Sequence, residues 1–361
     1  MSATDLSTKV ADRVARMVPR PRVYARRQRE SILVGAVVLA MVPLFVHGLY
    51  GLDVANTAMI STLLASGFYI QFALAGQFSL GTSSFYGIGA FTSVWAGQKG
   101  GGFIVGIIVA AIVTGIIGTL VKLILYRSPL LQFAIATLAF ATLSQIILRQ
   151  WESFTGGEGG SFGIEKPSLF GKEFVTPTET FYLSGGVALL GIVLLVLLER
   201  SATQRDWVFT KNQPIVAKVS GVPTLRAQAV AFGVGAAYMG AAGAVASYTR
   251  GFVSLNQFHA GVSLDVLIMV LVGGVASVWG PAVGAVVIIL TPEWLRRIAD
   301  YRELVFAAVI LVVILAIPEG ITSLPRRIIA WQQRKRSTPA AGSSSGTDQA
   351  APSSLTAGES V

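Results

Sequence analysis

The sequence predicts an all-α integral membrane protein of about ten transmembrane or discontinuous helices, with both termini on the cytoplasmic side. Of its 361 residues, 53% are hydrophobic and only 13% charged, whereas soluble domains carry charge on about a quarter of their residues. Residues 54–98 and 266–292 hold no formal charge at all, and each run exceeds the roughly twenty residues of one bilayer crossing. The basic residues behind the net charge of +10 crowd into the N-terminal arm, residues 199–226 and the C-terminal tail. There they flank apolar spans, the pattern of cytoplasmic loops. They are therefore topology signals and not a nucleic-acid footprint, and membrane lipid is the expected partner of the N-terminal arm.

Chemistry of the common enzymatic kinds is not expected. There is no cysteine, and the two histidines, His47 and His259, are far apart, so thiolate ligands, disulfides and cysteine nucleophiles are excluded. No catalytic, cofactor or metal site is expected. Gly76 and Gly81 have the spacing of a phosphate-binding loop, but Thr82 stands where its lysine must be, and Gly171-Lys172 is followed by Glu173. Both fail the motif, so any ATP must be handled by another subunit.

Along the chain, residues 1–30 form a basic cytoplasmic arm, with Val10, Val14, Met17 and Val18 at helical spacing among arginines. The long positive stretch and the lack of a small-residue cleavage site argue against a secretory signal, and residues 31–46 read as the first span. The apolar, membrane-spanning region covers residues 31–325. Within residues 54–98 two crossings are expected, separated by a polar, glycine-rich break over residues 76–91. Residues 100–121 and 128–148 give the next two spans. The connection 149–180 carries five glutamates against three basic residues and is expected outside. Residues 181–198 return the chain to the cytoplasm, and residues 227–249 cross again. Residues 266–292, cut by Gly273, Gly274, Gly280 and Pro281, read as two short arms. A two-pass reading keeps Arg326, Arg327, Arg334, Lys335 and Arg336 inside after a last span at 304–318, and leaves Arg296 and Arg297 outside. Residues 326–361 form a basic and then disordered cytoplasmic tail.

The segment 199–226 is the longest polar stretch between spans. Asn212 or Gln213 can cap a helix there, Pro214 suits a first turn, and Gly221 supplies a left-handed stop. Ile215, Val216 and Val219 share one face of that short helix, an apolar ridge suited to a groove on a partner. Small residues in the patterns Gly280-x-x-x-Gly284, Ala236-x-x-x-Gly240 and Gly240-x-x-x-Ala244 predict close helix packing. Asp265 is expected in a first helical turn capped by Ser263, and Lys122 is expected to snorkel to the interface. The candidate translocation path is Gly76, Gln77, Ser79, Gly81, Thr82 and Ser83, facing Gly273 and Gly274. A channel or ion-coupled secondary transporter of a small polar solute is the alternative reading, and it would need ionisable groups embedded in the membrane.

From about residue 54 to 325 the chain resembles permease subunits of the branched-chain amino-acid ABC importers. The resemblance is carried by GQFSLGTSSFYGIGAF at 76–91, SPLLQFAIATLAFATLSQI at 128–146, TGGEGG at 155–160, KNQPIVAKVSGV at 211–222, LVGGVASVWGPAVGA at 271–285 and PEGI at 318–321, strung in family order. Thr82-Ser83-Ser84 stand where members of the family often have histidine and alanines. The resemblance implies that residues 211–222 form the helix that docks on an ATPase. It also implies two ABC ATPase subunits, a second homologous permease, an extracytoplasmic substrate-binding protein and the inner membrane of a prokaryotic cell. Its implied cargo is branched-chain amino acids or related small amino acids, acids or amides.

Overall fold

Helix α1, Leu49–Tyr69, continues through a π-helical turn, Ile70–Leu74, and the 26 residues together are about 39 Å long, enough to cross a bilayer. The computed structural model describes residues 48–164, 166–169, 172–294, 307, 308, 311 and 320–323. The expected arm at 1–30, first span at 31–46 and tail at 326–361 lie outside the described residues, and of the expected last span only Ala307, Ala308 and Leu311 are described, all helical. A loop over residues 75–81 leads from α1 into α2, Thr82–Ala96.

The expected break at 76–91 is thus too long: the chain is helical again from Thr82. Gly87 and Gly89, which suggested irregular backbone, serve packing instead. A β-carbon on Gly89 would strike the Gly240 carbonyl, and one on Gly87 would press on the Phe258 ring. Glycine within an apolar run is ambiguous between breaking a helix and letting another approach.

The turn after α2 contains Gly100 and Gly102 at φ +83° and +63°, a conformation glycine adopts without strain. It reverses the chain into α3, Gly102–Ile124, which packs back on α2. Tyr248 closes this corner, its hydroxyl donating to the carbonyls of Ser93 at 3.1 Å and Gly102 at 3.2 Å. Helix α4 spans Leu130–Gln150. The following connection forms two small antiparallel pairs, β1 (Ser161–Phe162) with β4 (Phe252–Val253) and β2 (Ser168–Leu169) with β3 (Lys172–Glu173). Helix α5, Pro177–Glu199, opens on a capping box: Glu179 N–H donates to Thr176 Oγ1 and Thr176 N–H to Glu179 Oε2.

Two shorter helices follow, α6 (Ala202–Asn212) and α7 (Pro214–Val219), and then α8, Thr224–Arg250. Sequence reading expected only the second of the pair. Helix α8 is the centre of the fold, packing on α3, α2 and α1. Its small residues make that possible: a β-carbon on Gly240 would meet Thr114, and one on Gly243 the Tyr86 carbonyl. Outer helices α3 and α4 instead turn apolar rows outward, such as Ile104, Ile108, Ile112 and Ile116, a surface suited to lipid or to other helices rather than water.

Helices α9, Gly261–Gly273, and α10, Gly280–Trp294, are about 20 and 22 Å long, shorter than the hydrocarbon core. They form an antiparallel hairpin, since a β-carbon on Gly273 would strike Gly280 and one on Gly284 would strike Met269. The interruption lies where the glycines predicted it. Residues 320–323 pack on its tip, with Thr322 Oγ1 donating to the Gly273 carbonyl at 2.8 Å. The end of the bundle bearing α6 and α7 is called basal below, and the end bearing β1 and β4 apical.

Candidate translocation path and coupling surface

The loop between α1 and α2 is held from several sides. The π turn before it widens the helix by one residue, and Gln71 uses the space to donate from Nε2 to the Phe232 carbonyl at 3.0 Å. Gly76 turns at φ +69°, after which Gln77 N–H reaches back to the Gln71 carbonyl at 2.8 Å and Gln77 Nε2 donates to the Gln228 carbonyl at 2.9 Å. Leu80 N–H donates to Thr137 Oγ1 on α4, Gly81 N–H to Ser79 Oγ, and Ser83 N–H to Ser263 Oγ on α9. Gln77, Ser79, Thr82 and Ser83 are all buried.

This seam is polar and uncharged. Gln71 Oε1, Gln77 Oε1, Thr82 Oγ1, Ser83 Oγ and Ser84 Oγ are buried without a partner among the described residues. Each such group costs about 1–3 kcal/mol, so a cluster of them marks a place where packing alone does not explain the sequence. The resulting chemistry is a set of hydroxyl and amide groups able to bond a small polar solute.

At the basal end, α6 starts on Ser201, whose Oγ accepts from Gln204 N–H at 3.2 Å, and Trp207 buries its whole ring against the bundle. Gln213 leaves helical geometry at φ −140° and begins α7 without a side-chain cap, Asn212 belongs to the end of α6, and Pro214 takes the first turn. Gly221, at φ +79°, ends α7 in a Schellman motif: Val222 N–H bonds the Ala217 carbonyl at 3.0 Å and Gly221 N–H the Lys218 carbonyl at 3.2 Å. Ala217 faces inward and is fully buried, while Ile215, Val216 and Val219 are 78%, 49% and 85% exposed. An apolar ridge thus stands clear of the bundle on a helix pinned at both ends.

The sequence matches the family described as branched-chain amino acid transport system / permease component over residues 50–317. The chain belongs to that family. It is 28% identical, over 323 aligned positions, to the high-affinity branched-chain amino acid transport system permease protein LivM of Salmonella typhimurium and equally to that of Escherichia coli K12. Each alignment covers 83% of this chain and 76% of the relative. No solved structure matches the chain significantly. It is therefore a multi-pass membrane permease, one component of a transport system rather than a self-sufficient enzyme.

Within this permease the expected path residues divide. Gly76 to Ser83 line one buried seam, but Gly273 and Gly274 sit at the hairpin tip against Gly280 and Gly320. The residue of α9 beside Ser83 is Ser263, ten positions and about 15 Å of helix away from Gly273. Ser263 is consequently not the cap of α9, whose first residue is Gly261, and Asp265 lies beyond the first turn, in an apical cleft with Tyr50, Asp53 and Glu293. Lys122 does not snorkel either: its side chain is only 5% exposed and its ammonium lies 4.2 Å from the centre of the Phe133 ring. The sequence reading omits Gln71 and takes Ser263 for a helix cap rather than a neighbour of Ser83. Gln71 is visible as a polar residue inside an uncharged run, whereas nothing local marks Ser263 as facing the loop.

Proposed function

We propose that the permease is one of two transmembrane subunits of an ABC importer in the inner membrane of a prokaryotic cell. It passes branched-chain amino acids, or related small amino acids, acids or amides, inward. The basal end faces the cytoplasm in this reading, supported by Arg127, Arg200, Arg205, Lys211, Lys218 and Arg226 there. The partners are two ABC ATPases, a second homologous permease and an extracytoplasmic substrate-binding protein.

The observation that carries the reading is the exposed ridge of Ile215, Val216 and Val219, which fits a groove on an ATPase. Movement of α7 passes through α6 to the loop at 75–81, because Lys211 Nζ donates to the Ala73 carbonyl at 2.7 Å. Burial beside that loop lowers the Lys211 pKa. A channel or ion-coupled carrier would instead need ionisable groups embedded in the membrane. The buried hydroxyl and amide groups from Gln77 to Ser84 are uncharged, and the cations nearest them, Lys122 and Lys211, line the basal cavity that Gly76 and Gln77 also border.

The test is transport by the reconstituted importer carrying Val219→Asp. A carboxylate in an apolar contact is strongly unfavourable, so ATP hydrolysis should uncouple from transport while the membrane fold persists. Unchanged transport in that variant would remove the coupling role. Purified alone, the permease should neither bind nor hydrolyse ATP.

A further inference from the structure

At the basal end, α3, α4, α6, α7 and α8, together with Ala75, Gly76 and Gln77 of the loop after α1, line an open cavity of about 650 Å³. Lys122, Arg127, Lys211 and Lys218 line it, and no acidic residue is found among its described lining residues. Like charges gathered on low-dielectric walls focus a positive potential. Lys122 sharpens the point, since the residue is only 5% exposed and its ammonium, facing the cavity, has the Phe133 ring but no hydrogen-bond acceptor among the described residues. A cation–π contact offsets only part of the desolvation of an ammonium. No countercharge for it stands among the described residues that line the cavity.

We propose that this cavity binds the phosphate of an anionic phospholipid, with the acyl chains lying along α3 and α4. The rim supports a lipid rather than a free anion. Leu130 lines the cavity and is 60% exposed, and Leu131, Ile124, Leu123 and Leu120 extend the exposed apolar surface beside it. A transported amino acid fits poorly, because the four cations that attract its carboxylate repel its ammonium. Basic pockets between helices at the cytoplasmic face are where lipid headgroups are held, so this inference rests on the orientation given under Proposed function. Lys211 and Lys218 belong to α6 and α7, so an occupied site also braces the coupling surface.

The test uses the full-length chain extracted from its own membrane with its partners, delipidated and examined by native mass spectrometry with added phosphatidylglycerol or phosphatidylcholine. Phosphatidylglycerol should be retained preferentially, and Lys122→Met and Lys218→Gln should each weaken retention by about fivefold. Lys218 is solvent-exposed, so its substitution does not threaten folding and keeps the test valid if Lys122→Met fails to assemble. Equal retention of the two lipids, or unchanged retention in Lys218→Gln and Lys122→Met, would overturn the proposal. Millimolar glycerol 1-phosphate should displace little lipid, and displacement as effective as that by phosphatidylglycerol itself would reassign the cavity to a free anion. These readouts require no knowledge of which end faces the cytoplasm, so a failed orientation and a failed lipid site give different results.

Discussion

Lys211 lies across Gly76 so closely that a β-carbon on the glycine would stand 2.6 Å from Lys211 Cγ. The same lysine donates to the Ala73 carbonyl from Nζ. One side chain of α6 therefore grips the end of α1 and Gly76 together, and if α7 is the coupling helix as proposed, this contact is the short mechanical link from it to the loop at 75–81. Gly76→Ala should break it twice, by forcing a β-carbon onto a residue at φ +69°, at a cost of about 1 kcal/mol or more, and by displacing Lys211. Lys211→Ala should leave the fold nearly unchanged, shifting the melting temperature by less than about 4 °C. Both should lower substrate moved per ATP hydrolysed severalfold in proteoliposomes. Wild-type stoichiometry in both variants would show that the link carries no signal.

Glycines at two other positions should respond in different ways. Gly89 is set against the Gly240 backbone in the crossing of α2 and α8, so Gly89→Val must push the two helices apart. Overpacking of this kind costs about 1–3 kcal/mol and should lower the melting temperature of the whole permease. A β-carbon on Gly221 would meet nothing within 4 Å, but the residue sits at φ +79°. Gly221→Val should therefore fray α7 alone, leaving the melting transition in place and uncoupling ATP hydrolysis from transport. Reversal of these two outcomes would mean that the distinction between steric and conformational roles is misplaced.

How far each feature could be read from sequence follows from how local its cause is. Pro214 and Gly221 act on their own backbone, and α7 begins and ends where they require. The interruption between α9 and α10 was legible for the same reason. Helix α6 was not, because its Ser201 cap and buried Trp207 sit in a polar segment without a clear apolar period. Lys122 could not be placed, since the alternatives of interface and cavity differ only by which neighbour offers a ring, and Phe133 is on another helix. The pairing of Ser83 with Ser263 joins residues 180 positions apart, and no local signal encodes it.

The apical loops provide a topology measurement. Gly159 is exposed with open space where a β-carbon would stand, whereas Ser161 is half-buried in the β1 and β4 pair. The chain has no native cysteine, so Gly159→Cys gives a single reactive thiol. If the apical end is extracytoplasmic, intact cells should label fully with an impermeant maleimide. Labelling that appears only after the membrane is opened would invert the orientation.

The last prediction concerns where substrate choice is made. The seam offers Gln71, Gln77, Ser79, Thr82, Ser83, Ser84 and Ser263, groups that hydrogen-bond but carry no charge. An amino acid carries an ammonium and a carboxylate, and holding both in a low-dielectric site needs paired partners for each, because an unpaired buried charge costs several kcal/mol. If the seam is the proposed path, it would lower the barrier to a polar solute without discriminating strongly among side chains. Selection is therefore expected on the proposed binding protein, which would meet the substrate before it leaves water. Replacing that protein by a compatible relative of different specificity should re-route transport through the same permease with little change in maximal rate. Tight and selective binding of one amino acid to the permease pair, measured by calorimetry with no binding protein present, would show instead that the seam selects, and alanine at Ser83 and Ser263 would then locate the contact.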